Sequence, residues 1–93
     1  MIYAYLDMNI TNPEIFGQYK DVASDAMEKH GCAALSIGKD NITLDGDQKA
    51  PTIAVILSFP DKASALAWIN DPELTHIHDL RRKAGLKSMT LIG

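Results

Sequence analysis

Apolar and polar residues alternate in four stretches of the chain, and each stretch predicts a β-strand. The first covers residues 2–10 and has one fully apolar face. Its other face carries aromatic and polar residues, namely Tyr3, Tyr5, Asp7 and Asn9. The remaining three stretches are residues 33–37, 52–59 and 87–92. The stretch 52–59 carries apolar residues on both faces, so we expect it to be a central strand.

A helical period between the first two strands predicts a long helix. Asn12 is suited to the N-cap and Pro13 to the first helical position. His30 lies in the predicted last turn, and Gly31 is suited to end the helix. The residues predicted to face the core are Ile15, Phe16, Tyr19, Val22, Ala23, Ala26 and Met27.

Two shorter helices are predicted between the third and the last strand. Asp61 can cap a helix over residues 62–69, and Asp71 with Pro72 starts another that ends at Gly85. The second of these is predicted to bury Leu74, Ile77, Leu80, Arg81 and Ala84. Residues 42–44 form a further short extended piece between two turns.

This order of elements predicts an α+β fold: a four-stranded antiparallel sheet in βαββαβ order with the helices on one face only. The 93 residues suffice for one domain, and we take 1–93 as that domain. The helix-free face would then carry Tyr3, Tyr5 and Asp7. Ser36, Ser58, Ser88 and Thr90 are expected on the same side. Because tyrosines and small residues pack well at interfaces, we predict that this face joins a homodimer.

Charge and apolar runs exclude several classes of function. The chain has 9 Lys and Arg against 12 Asp and Glu, a formal net charge of −3, which argues against nucleic-acid binding. No apolar run approaches the length of a membrane span. The N-terminus lacks the basic region of a signal peptide, so we expect a cytoplasmic protein. The single cysteine, Cys32, excludes an intrachain disulfide and is expected to be a buried thiol.

No motif of high specificity for catalysis, a metal or a cofactor is present. His76 and His78 are two residues apart in a predicted helix and therefore point about 200° apart. Metal sites on helices use three- or four-residue spacing, so we expect no metal and no cofactor.

One group of residues predicts a small-molecule pocket between the helices and the sheet. Tyr19 and Arg81 point inward from different helices, and Trp68 comes from the helix in between. A small acidic or carbonyl ligand would suit two aromatic rings and one cation, with His30 or His78 near the mouth. The alternative is a filled core in which the Arg81 guanidinium pairs with a carboxylate of the chain.

Several short segments together resemble the domain of unknown function 1330 family over nearly the whole chain. They include Asn12-Pro13-Glu14 with Tyr19, His30-Gly31, Leu44-Asp45-Gly46-Asp47, Phe59-Pro60, Ala67-Trp68, Asp71-Pro72-Glu73 and Leu80-Arg81. The resemblance implies a ferredoxin-like fold of the dimeric α+β barrel superfamily, in which two four-stranded sheets pack across a dimer axis. It also implies a range of activities: some relatives are cofactor-free monooxygenases, others are isomerases or decarboxylating enzymes, and many have no known activity.

Two function hypotheses follow. The first is a homodimer that binds a small molecule without catalysis, and the sequence favours it because it shows no base–nucleophile pair. The second is a cofactor-independent monooxygenase or isomerase acting on a small aromatic or carbonyl compound. In that case His30, His76 or His78 would be the candidate general base, since histidine titrates near neutrality.

Overall fold

Four strands form one antiparallel sheet in the order β2-β3-β1-β4. The computed structural model describes residues 1–93. The strands are β1 (Ile2–Met8), β2 (Ala33–Gly38), β3 (Ile53–Phe59) and β4 (Leu86–Ile92). β3 is a central strand, as its apolar residues on both faces predict, and β1 is the other. All three strand pairs are antiparallel.

Three α-helices connect the strands: α1 (Pro13–Glu28), α2 (Lys62–Asn70) and α3 (Thr75–Ala84). The predicted caps are confirmed. The Asn12 side chain accepts a hydrogen bond from the backbone N–H of Ile15 at 3.1 Å, and Asp61 accepts one from Ser64 at 2.7 Å. These caps fix where α1 and α2 begin.

The helices cover one face of the sheet, as predicted, and the core lies between the two layers. Alternate residues of the central strands face this core and are almost fully buried: Ala4, Leu6, Met8, Ile53, Val55, Leu57 and Phe59. The fold is therefore α+β and ferredoxin-like. Cys32 is buried next to this core, and burial raises the pKa of its thiol to about 11.

The opposite face of the sheet, which we call the open face, carries the residues predicted for it. The strand register places Tyr3 beside Ser58, Tyr5 between Ile56 and Thr90, and Asp7 between Ala54 and Ser88. Ser36 pairs with Ile56 and so lies on the same face. The Ser88 hydroxyl donates a hydrogen bond to Asp7 Oδ1 at 3.0 Å. No helix covers these side chains.

Residues 42–44, predicted as a short extended piece between two turns, pair with no strand of the sheet. They lie in a loop over residues 39–52, where Asn41 Nδ2 donates hydrogen bonds to the carbonyls of Gly38 and Pro51, both at 3.0 Å. This side-chain bridge closes the base of the loop and leaves Ile42 and Leu44 without a neighbouring strand. Both are exposed, Leu44 to 96 %.

The helix expected from Pro72 onward also differs at its start. Pro72–Leu74 is a single 3₁₀ turn, and α3 begins only at Thr75. The reason is local: Asp71 Oδ1 accepts a hydrogen bond from the backbone N–H of Glu73 at 2.9 Å. A bond over two residues tightens the first turn.

Candidate functional site

A cavity of about 390 Å³ lies between α1 and the sheet, and we call it the α1 cavity. It forms because α1 covers the central strands more completely than the edge strand β2. The pairing of Ala34 with Leu57 and of Ile37 with Val55 turns these β2 residues toward the helix side, yet Ile37 remains 58 % exposed. The apolar walls are Leu6, Met8, Phe16, Tyr19, Ala23, Met27, Ala34, Ile37, Ile53, Val55 and Leu57.

The polar lining of the α1 cavity is small and carries only positive charge. Lys20, Ser24 and Lys39 are its polar residues besides Tyr19, and no Asp or Glu lines it. The Lys20 ammonium lies 5.1 Å from the centre of the Phe16 ring, within range of a cation–π interaction. An apolar volume with a few polar groups is typical of small-molecule sites.

Next to this cavity, Arg81 of α3 is buried to all but 1 % of its surface. Its guanidinium carbon lies 5.1 Å from the centre of the Trp68 ring and 5.8 Å from that of Tyr19. Nη2 donates a hydrogen bond to His78 Nδ1 at 2.9 Å. Nε and Nη1 have no hydrogen-bond acceptor, and no carboxylate lies within ion-pair distance of Arg81. The charge is therefore uncompensated inside the core.

His78 is held in one tautomer by its two partners. Nε2 faces the carbonyl oxygen of Trp68 at 2.9 Å and must donate, whereas Nδ1 faces the Arg81 guanidinium and must accept. The ring is therefore neutral. Burial lowers the pKa of His78, and the Arg81 charge lowers it further, against the opposing effect of the Trp68 carbonyl. The Trp68 indole meets the ring edge-on at 4.6 Å.

Four of the five residues predicted for ligand binding come together: Tyr19, Trp68, His78 and Arg81, which we call the Arg81 cluster. Their side chains pack directly against one another, and none of the three cavities of the structure is lined by Arg81 or His78. Tyr19 alone both lines the α1 cavity and lies within cation–π range of the guanidinium. The pocket predicted between Tyr19, Trp68 and Arg81 is therefore absent, because these side chains pack against one another, and the α1 cavity adjoins the cluster only at Tyr19.

His30, the fifth of these residues, has a different partner. Its Nε2 donates to Asp71 Oδ2 at 2.8 Å, and Lys29 Nζ bonds to the same oxygen at 2.8 Å. The hydrogen bond from Lys29, followed by that from His30, holds the pKa of Asp71 well below its usual range. These bonds fasten the end of α1 to the turn before α3, and His30 lines no cavity.

Sequence reasoning missed the residues that define the α1 cavity on the β2 side, above all Lys20, Lys39 and Ile37. Lys20 follows Tyr19 directly, so the only available signal was a cation beside a core-facing aromatic residue. The cavity itself depends on how far α1 lies from β2. No local pattern carries that distance.

Three further observations concern metal ligands, the two histidines of α3 and membrane spans. No three side chains among His, Cys, Asp and Glu lie close enough together to hold a metal ion. His76 is exposed while His78 is buried, in keeping with their two-residue spacing on α3. No helix combines the length and the apolar character that crossing a membrane requires.

The fold and the adjoining cavity define a small ferredoxin-like α+β protein with an apolar chamber between its first helix and its sheet. The chain belongs to the family described as Domain of unknown function (DUF1330), whose model matches residues 1–93. No curated protein sequence matches the chain.

Solved structures support the same fold. The chain is similar to RPA0582, a protein of unknown function from Rhodopseudomonas palustris, with a TM-score of 0.70 and 19 % identity over 98 % of this chain and 78 % of that one. The methylated form of RPA0582 gives a TM-score of 0.68 at 19 % identity, covering 98 % of this chain and 76 % of that one. An antibiotic biosynthesis monooxygenase gives 0.57 at 20 % identity, covering 100 % and 97 % of the two chains. At these identities the likeness concerns the fold alone.

Proposed function

We propose that this chain is a binding protein whose α1 cavity takes up a small, mostly apolar molecule. The observation that carries this proposal is the cavity itself: about 390 Å³, apolar on most sides, with a few polar groups. Ligand sites in proteins commonly span about 300–1,000 Å³ and have this kind of lining. A molecule the size of a substituted benzene ring fits that volume.

Binding is favoured over catalysis by the chemistry of the lining. No histidine, cysteine or carboxylate lines the α1 cavity, so the lining holds no general base of these types that would activate Ser24 or a bound molecule. His78, the histidine of the Arg81 cluster, uses both ring nitrogens in hydrogen bonds. Protonation of His78 would break its bond to Arg81. The monooxygenase or isomerase hypothesis therefore gains no support from the residues at this cavity.

The assembly is part of the proposal. The open face carries Tyr3, which is 41 % exposed, and Ile92, which is 55 % exposed. Tyr5 and Ile56 lie on the same face and are partly buried. A contiguous apolar and aromatic surface on a small protein marks an interaction site. A second copy of the chain, packed face to face, would cover it in both subunits. We propose such a homodimer, with Tyr3, Tyr5 and Asp7 in the interface.

Ligand uptake can be tested with phenylacetamide, a neutral aromatic probe, in a titration followed by backbone amide NMR. We expect saturable shifts of amides in α1 and β2, which form two walls of the cavity. Ala34→Trp should abolish them, because the larger ring would fill the cavity mouth from β2. Ala63→Trp, on the exposed start of α2, is the matched control and should bind like the unaltered protein.

Saturation without α1 and β2 shifts, or unchanged binding by Ala34→Trp, would place the probe elsewhere and contradict the proposal. The absence of saturable shifts at millimolar probe would contradict it as well.

A further inference from the structure

The charged groups around the α1 cavity share one sign, although the chain as a whole is acidic. The net charge is −3, yet the two ionised side chains that line the cavity are Lys20 and Lys39. A third cation, Arg81, stacks on Tyr19 at the cavity wall. The lining of the α1 cavity thus carries two lysines and no carboxylate, with Arg81 behind the Tyr19 ring, in a chain with more acidic than basic residues. It favours a negatively charged occupant.

Arg81 is the strongest of these three indications because it is the most deeply buried. A guanidinium has five N–H donors, and in this structure only the bond to His78 is formed. Buried charges in proteins are normally paired, because an isolated ion in the core is very unfavourable. The faces of Tyr19 and Trp68 offset part of that penalty through cation–π contacts but accept no hydrogen bonds. A carboxylate bound in the α1 cavity would supply a compensating negative charge on the other side of the Tyr19 ring, without a direct hydrogen bond, because Arg81 does not line the cavity.

From these observations we propose that the ligand of the α1 cavity is a small amphipathic organic anion, an aryl or alkyl carboxylate. Its apolar body lies between α1 and β2. Its carboxylate lies at the Tyr19 end and is selected by the Arg81 charge. This inference rests on the proposed function, since it names the class of molecule that the same cavity takes.

Arg81 and the two lysines can be distinguished by their exposure. Lys20 and Lys39 are exposed, so salt screens their attraction for an anion. Arg81 is 1 % exposed, and its field reaches the cavity through protein rather than through solvent. Anion selection by Arg81 therefore persists at high ionic strength, whereas selection by the lysines fades.

The test compares phenylacetate with phenylacetamide, which has the same shape but no charge, in calorimetric titrations at about 0.05 M and about 0.5 M NaCl. The unaltered protein should bind phenylacetate at least about tenfold more tightly than phenylacetamide, and most of that preference should survive the higher salt. Arg81→Met should lose the preference while its affinity for phenylacetamide stays the same. Arg81→Gln can still donate a hydrogen bond to His78 and should lose the preference in the same way. It therefore controls for a rearrangement of His78 caused by the loss of that bond in Arg81→Met.

The double variant Lys20→Met, Lys39→Met removes the two lysines instead of Arg81. It should keep most of the preference for phenylacetate over phenylacetamide. If instead the preference survives in Arg81→Met and is lost in the lysine variant or in high salt, the lysines select the anion and the role given to Arg81 is wrong. If phenylacetamide binds and phenylacetate binds no better, the cavity is a site for neutral molecules and only this inference fails. If neither probe binds, the proposed function fails together with it.

Discussion

Arg81 is a full positive charge inside a small core, held by two aromatic rings and one neutral imidazole. The helical period of α3 was enough to predict that this side chain points inward. The same pattern could not show whether a carboxylate pairs with the Arg81 guanidinium, because such a partner would come from other elements of the fold. The Arg81 guanidinium lies within cation–π range of Tyr19 and Trp68, but no pocket opens between these residues, and their role in binding stays a prediction.

The stability of Arg81→Met separates a structural from a functional reason for this residue. Methionine keeps most of the apolar stem and removes the buried charge, at the loss of one hydrogen bond to His78. Replacing buried charges by apolar residues of similar size is often neutral or stabilising. We therefore expect the free energy of unfolding to change by no more than about 1 kcal/mol, or to rise.

Urea denaturation measures that change, with Leu57→Ala as a comparison at an equally buried position. That truncation should cost about 2–5 kcal/mol. A loss of similar size in Arg81→Met would show that the core needs the guanidinium.

His78 gives the protein a predicted acid sensitivity. Because its pKa is lowered in the folded state, the unfolded chain binds a proton that the folded chain refuses. The stabilising contribution is complete above the unfolded pKa of about 6.5 and is lost as the pH falls below it. We expect the free energy of unfolding to decline as the pH falls from about 6.5 toward the lower pKa of His78 in the folded protein. Denaturation at a series of pH values measures this decline. His78→Gln should flatten this part of the profile, and His76→Gln, at an exposed position of the same helix, should leave it unchanged.

At the level of elements, the fold could be predicted because each helix and strand carries its own signal. The caps at Asn12 and Asp61 and the alternation of β1 and β3 are local properties, and they agree with the structure. The difference at Pro72–Leu74 arises where a side-chain hydrogen bond overrides the helical pattern. The α1 cavity could not be predicted from the sequence for another reason. It is a gap between two elements, and its size depends on how far apart they pack.

The junction between α3 and β4 provides a test of backbone fit. Gly85 has φ +134°, and a Cβ there would collide with the carbonyl of Asn9, which follows β1. Gly85→Ala should therefore cost about 1–3 kcal/mol or more of unfolding free energy.

Gly17, inside α1, is the matched control, because a Cβ there meets no atom within 4 Å. Gly17→Ala should stabilise the protein by about 0.5–1 kcal/mol through helix propensity. Thermal and urea unfolding of both variants measures the contrast. Equal effects at the two glycines would contradict the close approach of Gly85 to Asn9.

For the molecule as a whole, the two faces of the sheet differ in what lies on them. The helix side holds the core, the Arg81 cluster and the α1 cavity, whereas a separate cavity of about 570 Å³ lies on the open face, lined by Tyr5, Asp7, Ala54, Lys87 and Ser88 together with residues of the loop 39–52. Because the two sides of the sheet are separate, a change on the open face can alter assembly while ligand uptake on the helix side continues. This separation makes the proposed dimer and the proposed binding function independently testable.

The homodimer prediction is best tested with two exposed apolar residues of similar accessibility on opposite sides of the sheet. Tyr3 on the open face is 41 % exposed, and Leu66 on α2 is 49 % exposed. We expect the unaltered protein to sediment at twice the chain mass of 10.2 kDa at micromolar concentration. In the proposed dimer Tyr3→Glu would place a carboxylate of each subunit in the interface, where uncompensated charges are strongly unfavourable, and should weaken the dimer at least about tenfold.

Leu66→Glu adds the same charge on the helix side and should leave the sedimentation of the dimer unchanged. Both variants should keep the probe affinity of the α1 cavity, because neither residue lines it. A monomer in the unaltered protein would contradict the homodimer, and equal sedimentation of all three proteins as dimers would place the subunit contact somewhere other than the open face. In that case the row of Tyr3, Tyr5 and Ile56 would need a different partner to cover it.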